Sequence, residues 1–157
     1  MKFKIATPER IMLETEVDSL TLPTSLGEIT ILPNHIPMVA NLAAGEIRYK
    51  QKGIESFFAV SAGVIEISTE GGPASGGKNT TQVVVLADNA EFGHEIDEKR
   101  AEEARERAKK LMREKVKDVV GFAAAIANLE KNSARLRVVR KHRTHTNKNL
   151  ESGILKE

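Results

Sequence analysis

Apolar and polar positions alternate with a period of two along much of residues 1–92, then recur every three or four residues beyond them. In the first part, Phe3 and Ile5 share one face of a run over residues 2–6. Further runs cover residues 17–22, 29–32, 46–51, 57–60, 64–68 and 82–86, with Gly, Pro or Asn between them. Short runs of this kind, with no long helical pattern between them, predict an antiparallel β-sandwich or barrel. Residues 69–80 (TEGGPASGGKNT) are of low complexity and predict an exposed, mobile loop between two strands.

The second part predicts helices. Ala101, Ala104, Ala108 and Leu111 fall on one helical face, and Glu103–Arg107 and Glu106–Lys110 are i,i+4 pairs in the favoured acid-first order. Phe122, Ile126, Leu129, Ser133 and Leu136 form a second stripe, flanked by Ala123, Ala127 and Ala134. Small residues let two helices approach closely, so the expectation is an antiparallel hairpin. Asp118 is the expected N-cap of the second helix, with residues 112–117 as the turn; a continuous helix is the alternative, because no Gly or Pro marks a stop. From Thr144 onward the periodicity fades and a disordered tail is expected. The chain therefore reads as α+β: an all-β N-terminal domain over 1–92, an α-helical hairpin over 93–143, and a tail over 144–157.

Composition sharpens this division. All five Pro and nine of the eleven Gly precede residue 94, and none occurs between Gly93 and Gly121. The formal charge of +2 is an average of −4 over 1–93, zero over 94–130 and +6 over 131–157. The absence of Cys excludes a disulfide framework, a thiolate metal site and a Cys nucleophile. No apolar run approaches the ~18 residues of a membrane span, and the first ten residues lack a signal core, so a soluble, cytoplasmic chain without membrane insertion is expected. Five Phe and one Tyr are too few for base stacking, and no nucleic-acid partner is expected.

Candidate chemistry is sparse. The stretch from Gly72 to Lys78 has the G-x-x-x-x-G-K spacing of a phosphate-binding loop, but Asn79 stands where a magnesium-binding hydroxyl belongs, and a β run follows where a helix is needed. His142 and His145 are three apart without an evident third ligand, so no metal site is assigned. No catalytic cluster stands out. The strongest electrostatic feature is Lys131, Arg135, Arg137, Arg140, Lys141 and Arg143. It reads either as a solvated helix face or as a surface for an acidic protein, a nucleotide phosphate or nucleic acid, the last disfavoured by the few aromatics and the lack of a reading motif. Asp97 and Arg100 share the first turn of the first helix, and Lys131 and Arg135 one face of the second; a carboxylate with convergent cations is a nucleotide grip.

From Gly27 to Met38 the chain reads GEITILPNHIPM, followed by LAAGEI from Leu42, VSAGVI from Val60, VVLADNAE from Val84, EIDEKRA from Glu95 and ARLRVV from Ala134. This ordered series, spread over residues 2–143, resembles the epsilon subunit of bacterial F-type ATP synthases. The resemblance implies a ten-stranded β-sandwich with a C-terminal helical hairpin, in a non-catalytic subunit of the rotating central stalk. It implies gamma, the c-ring, and the alpha and beta subunits as partners. The complex would place it at the cytoplasmic face of the bacterial cell membrane. By the same resemblance, Glu28 and His35 correspond to c-ring contacts. The basic residues Lys131, Arg135, Arg137, Arg140, Lys141 and Arg143 would meet an acidic motif on beta when the hairpin extends, inhibiting hydrolysis. Some members bind ATP in the folded hairpin through an I/L-D-x-x-R-A motif, matched by Ile96, Asp97, Arg100 and Ala101, with Glu91, Lys131 and Arg135 at the accompanying positions. ATP would then be a regulatory ligand, with no cofactor required. Lys131 replaces an Arg of that pattern, and a point charge takes the place of a planar fork. The alternative from a different class is a stand-alone ATP-binding sensor.

Overall fold

In most strands every second side chain turns inward, and those side chains meet in one apolar layer. The structure, a computed structural model, describes residues 1–71, 79–114 and 119–151, and the side chains of these except 114, 142 and 145–151. In chain order the elements are β1 (Lys2–Ala6), β2 (Ile11–Glu16), β3 (Ser19–Thr24), β4 (Gly27–Ile31), β5 (Met38–Leu42), β6 (Gly45–Gln51), β7 (Ile54–Val60), β8 (Gly63–Glu70), β9 (Thr80–Ala87), β10 (Ala90–Phe92), α1 (Glu98–Glu114) and α2 (Val119–Glu151).

The ten strands follow the order β10-β7-β6-β3-β5-β8-β9-β1-β2, with β4 paired to β3. Strand β3 is the corner: Ser19 to Thr21 pair with β6, while Thr24 pairs with Leu42 of β5. Folding there brings two layers face to face, as the β-sandwich reading requires. Their shared core includes Phe3, Ile5, Leu20, Leu22, Ile31, Ile47, Phe58, Ile65, Val83 and Val85, all fully buried. Three strands escaped the sequence pattern. β2 is an edge strand with Ile11 exposed, β5 carries the exposed Val39, and β10 has three residues. The pairing is also not wholly antiparallel, because β1 and β9 run parallel from Lys2↔Gln82 to Ala6↔Leu86.

β7 breaks the alternation. Phe57, Phe58, Ala59 and Val60 are all buried, the mark of a strand covered on both faces. Phe58 and Val60 enter the sandwich core. Phe57 and Ala59 point the other way and join Ile96, Ala101, Leu136, Val138 and Val139 in a second apolar cluster under the hairpin. The run that predicted a strand at 57–60 thus also marks where the helices dock.

Asp97 starts α1: its side-chain Oδ1 accepts from the Arg100 amide at 3.1 Å, and its carbonyl from Ala101 at 3.0 Å. The helix continues through Met112 to Glu114, past the start of the expected turn; residues 115–118, with the expected Asp118 cap, lie outside the described residues. Ala101 and Ala108 are buried between the helices, whereas Leu111 is 44% exposed. Glu106 meets Lys109 at 2.7 Å, and this contact holds its carboxyl below the usual carboxylate range. α2 is buried along Ala125, Asn132, Ala134, Leu136, Val138 and Val139, because its second half packs on α1 and on β6 and β7. The helix runs on through Thr144 to Glu151, beyond the boundary expected at Arg143. The phosphate-loop look-alike, residues 72–78, lies outside the described residues, and strand β9 begins at Thr80 where such a loop needs a helix.

Gly63 opens β8 against β9. A Cβ there would lie 2.1 Å from the Leu86 carbonyl oxygen and 2.9 Å from the Ala87 Cα, both backbone atoms. Gly63→Ala is therefore expected to lower stability by about 1–3 kcal/mol, the cost of forcing packed backbones apart. Urea melts of the two proteins check this, and equal midpoints would show that the strands separate freely.

Candidate functional site

The chemistry-bearing residues gather where the hairpin meets the sandwich. β10 carries Glu91 to the edge of the sheet beside β7, and α2 crosses β6 and β7. There Arg135 Nε donates to Glu91 Oε2 at 2.8 Å, with side chains only 22% and 25% exposed. Arg135 also donates to Asn132 Oδ1 at 3.3 Å, and Asn132 is itself buried. This charge-assisted pair is shielded from solvent on both sides.

The other residues of the expected ATP grip divide by role. Ile96 and Ala101 are buried under α2, and Asp97 spends its Oδ1 on the helix cap. Arg100 is exposed. Lys131 lines a separate cleft of about 320 Å³ with Ser61, Asp88, Asn89 and Asn128, between α2 and the sandwich loops. Glu91 and Arg135 are thus brought together by the fold. Three of the four motif residues have a structural reason for their identity that needs no ligand: Ile96 as an apolar plug, Asp97 as a cap, Ala101 as a small contact residue.

Among the basic residues of α2, Arg135, Arg140, Lys141 and Arg143 already have acidic partners within the chain. Lys141 Nζ lies 2.8 Å from Glu46 Oε1, whose side chain is only 8% exposed. Arg143 meets Glu98 at 2.9 Å, and Arg140 lies 3.4 Å from Glu98 and 3.9 Å from Glu102. These last contacts are largely solvent-exposed and individually weak. Glu46, Glu98 and Glu102 were not singled out in the sequence. For Glu98 and Glu102 the signal was present, because an antiparallel hairpin brings an acidic start of α1 beside a basic stretch late in α2; Glu46, on β6, gave none.

Glu28 is exposed on β4, one residue past the β3–β4 turn, whereas His35 is in the loop after β4, so the strand separates them. Leu26, Leu32 and Ile36, beside these positions in the chain, are exposed at 99%, 55% and 72%. The His35 loop is fixed by the Asn34 amide donating to Thr81 Oγ1 at 2.8 Å and by the His35 amide donating to the Leu32 carbonyl at 3.1 Å. Among the described residues no group of His, Asp and Glu could hold a metal ion, and no helix is long and apolar enough to cross a membrane.

The comparisons agree with this architecture. Residues 1–72 match the family described as ATP synthase, Delta/Epsilon chain, beta-sandwich domain, and residues 94–140 match its long alpha-helix domain. The ATP synthase epsilon chain of Herpetosiphon aurantiacus is 34% identical over 143 residues, covering 91% of this chain and 96% of that one. The epsilon chain of Dehalococcoides mccartyi is 37% identical over 145 residues, covering 92% and 96%. That of Symbiobacterium thermophilum is 38% identical over 138 residues, covering 87% and 91%. The fold is also similar to a chain in the Euglena gracilis mitochondrial ATP synthase OSCP/F1/c-ring structure, with a TM-score of 0.68, 21% identity, and coverage of 84% of this chain and 76% of that one. With both halves matched in order and epsilon chains aligned over most of its length, the chain belongs to the epsilon-chain family of F-type ATP synthases.

Proposed function

We propose that the chain works in its complex as a non-catalytic rotor part. Its sandwich docks on gamma and the c-ring at the membrane's cytoplasmic face, and its hairpin restrains ATP hydrolysis by the alpha–beta head. The observation that carries this reading is the exchange of partners open to α2. Arg135, Arg140, Lys141 and Arg143 are paired with Glu91, Glu98, Glu102 and Glu46 while the hairpin is folded. If the hairpin swings out, the pairs to Glu46 and Glu91 must break, and those cations need acidic partners elsewhere, such as an acidic surface on beta. Both of these pairs are partly shielded from solvent, so leaving them is offset only by an acidic surface that pairs the same cations again. ATP is the regulatory ligand of this reading. Held near Glu91, Arg100, Lys131 and Arg135, it would favour the folded hairpin by its differential affinity for that state.

The test is hydrolysis by the reconstituted complex carrying either the natural chain or the Arg135→Gln, Arg137→Gln, Arg140→Gln triple variant, assayed at low and at high ATP. Inhibition by the natural chain is expected to deepen at low ATP, and the variant to hydrolyse several-fold faster there. Equal rates for the two chains would remove the inhibitory role. Inhibition indifferent to ATP would remove the gating and leave the rest standing.

A further inference from the structure

One cleft is not accounted for by the family reading. Arg105 of α1 faces Ser133, Leu136, Arg137 and Arg140 of α2 across a cavity of about 260 Å³. The Arg105 Nε is fully buried and lacks a hydrogen-bond partner, and among the described residues it is the buried side-chain polar atom left in that state. Burying a guanidinium N–H without an acceptor is unfavourable, so such a group signals a missing partner. Arg137 is exposed and makes no salt bridge among the described residues; Arg140, itself 60% exposed, makes a long contact to Glu98 at 3.4 Å and another to Glu102 at 3.9 Å. None of the residues lining the cleft is acidic.

We propose that this cleft binds an oxyanion of the phosphate class. Three guanidinium groups repel one another when empty, and one tetrahedral anion offers acceptors to all three while Ser133 adds a hydroxyl donor. The cavity is smaller than the ~300–1,000 Å³ of sites for drug-sized ligands, which suits a small anion. Because Arg105 belongs to α1 and the other cations to α2, the bound anion ties the two helices together. The site is distinct from the Glu91–Arg135 pair and uses none of Asp97, Arg100 or Lys131.

The probe is inorganic pyrophosphate, titrated calorimetrically into the intact chain at low ionic strength. Saturable binding is expected, weakened at least about tenfold by Arg105→Gln and similarly by Arg137→Gln, since each removes a charge-assisted hydrogen bond. Arg113→Gln, which removes an exposed cation from the last turn of α1, is expected to leave the affinity unchanged. Circular dichroism checks each variant's helix content, and if Arg105→Gln fails to fold, the exposed Arg137 decides the matter. Absence of saturable binding overturns the proposal. So does wild-type affinity in the folded cleft variants, or an equal loss in Arg113→Gln, which would mean a diffuse charge effect.

Discussion

Phe58→Ala is expected to remove about 3–5 kcal/mol of stability, the usual cost of emptying a buried phenylalanine site. Phe58 is fully buried in the sandwich, with its ring centroid 4.3 Å from Phe92 and 6.0 Å from Tyr49. Tyr49 in turn meets Phe3 in a tilted contact at 5.8 Å, so the lost ring opens a void in the middle of an aromatic chain that spans β1, β6, β7 and β10. Close-packed neighbours relax only in part around such a void. A domain of this size is commonly stable by ~5–15 kcal/mol, so the loss is a large share of the total. Tyr49 is the chain's single tyrosine and, with no tryptophan present, reports the sandwich core directly by fluorescence. Its unfolding transition is expected to move to clearly lower denaturant. A midpoint within error of the natural chain would contradict the core assigned here. Phe57→Ala supplies the contrast, because the neighbouring ring faces the hairpin cluster and its loss should spare the Tyr49 transition.

Val138→Asp tests the second cluster. Val138 is fully buried there with Phe57, Ala59, Ile96 and Leu136. An unpaired carboxylate in that place costs several kcal/mol unless the helices move away. The hairpin has that escape, since its apolar contact with the sandwich is a separate and smaller cluster. The expected outcome is a chain whose α1 and α2 become open to limited proteolysis while the Tyr49 transition of the sandwich stays in place. One cooperative transition, lost as a whole in the variant, would show instead that the two clusters form one unit. The distinction bears on function, because a hairpin that can leave its sandwich without unfolding it is what a conformational inhibitor requires.

Much of the fold was legible in the chain. Alternation at Lys2–Ala6 and Thr80–Ala87 reflects strands with one buried face, and local pattern records that well. The Gly- and Pro-free stretch after Gly93 marked the helical part. Strand β10 was not legible because three residues carry no period, and the parallel β1–β9 pair was not because partner choice depends on the whole sheet. In the candidate site, spacing along a helix placed Lys131 and Arg135 on one face. It could not show that Arg135 reaches Glu91, which is 44 residues away in the chain.

By itself the sequence determined the division into a β part and a helical part, the positions of most strands, and the concentration of positive charge in the last third. Each is a local property, set by side-chain period, backbone freedom and composition within a short window. Only the tertiary structure decided that Phe57 and Phe58 serve two different cores, that Asp97 is a helix cap, and that the basic face of α2 is met by Glu46, Glu91 and Glu98. The same holds for the unpartnered Arg105 Nε in its cleft. These depend on how distant segments are brought within a few ångströms of one another, where contact and desolvation act, and no window of the chain contains that information.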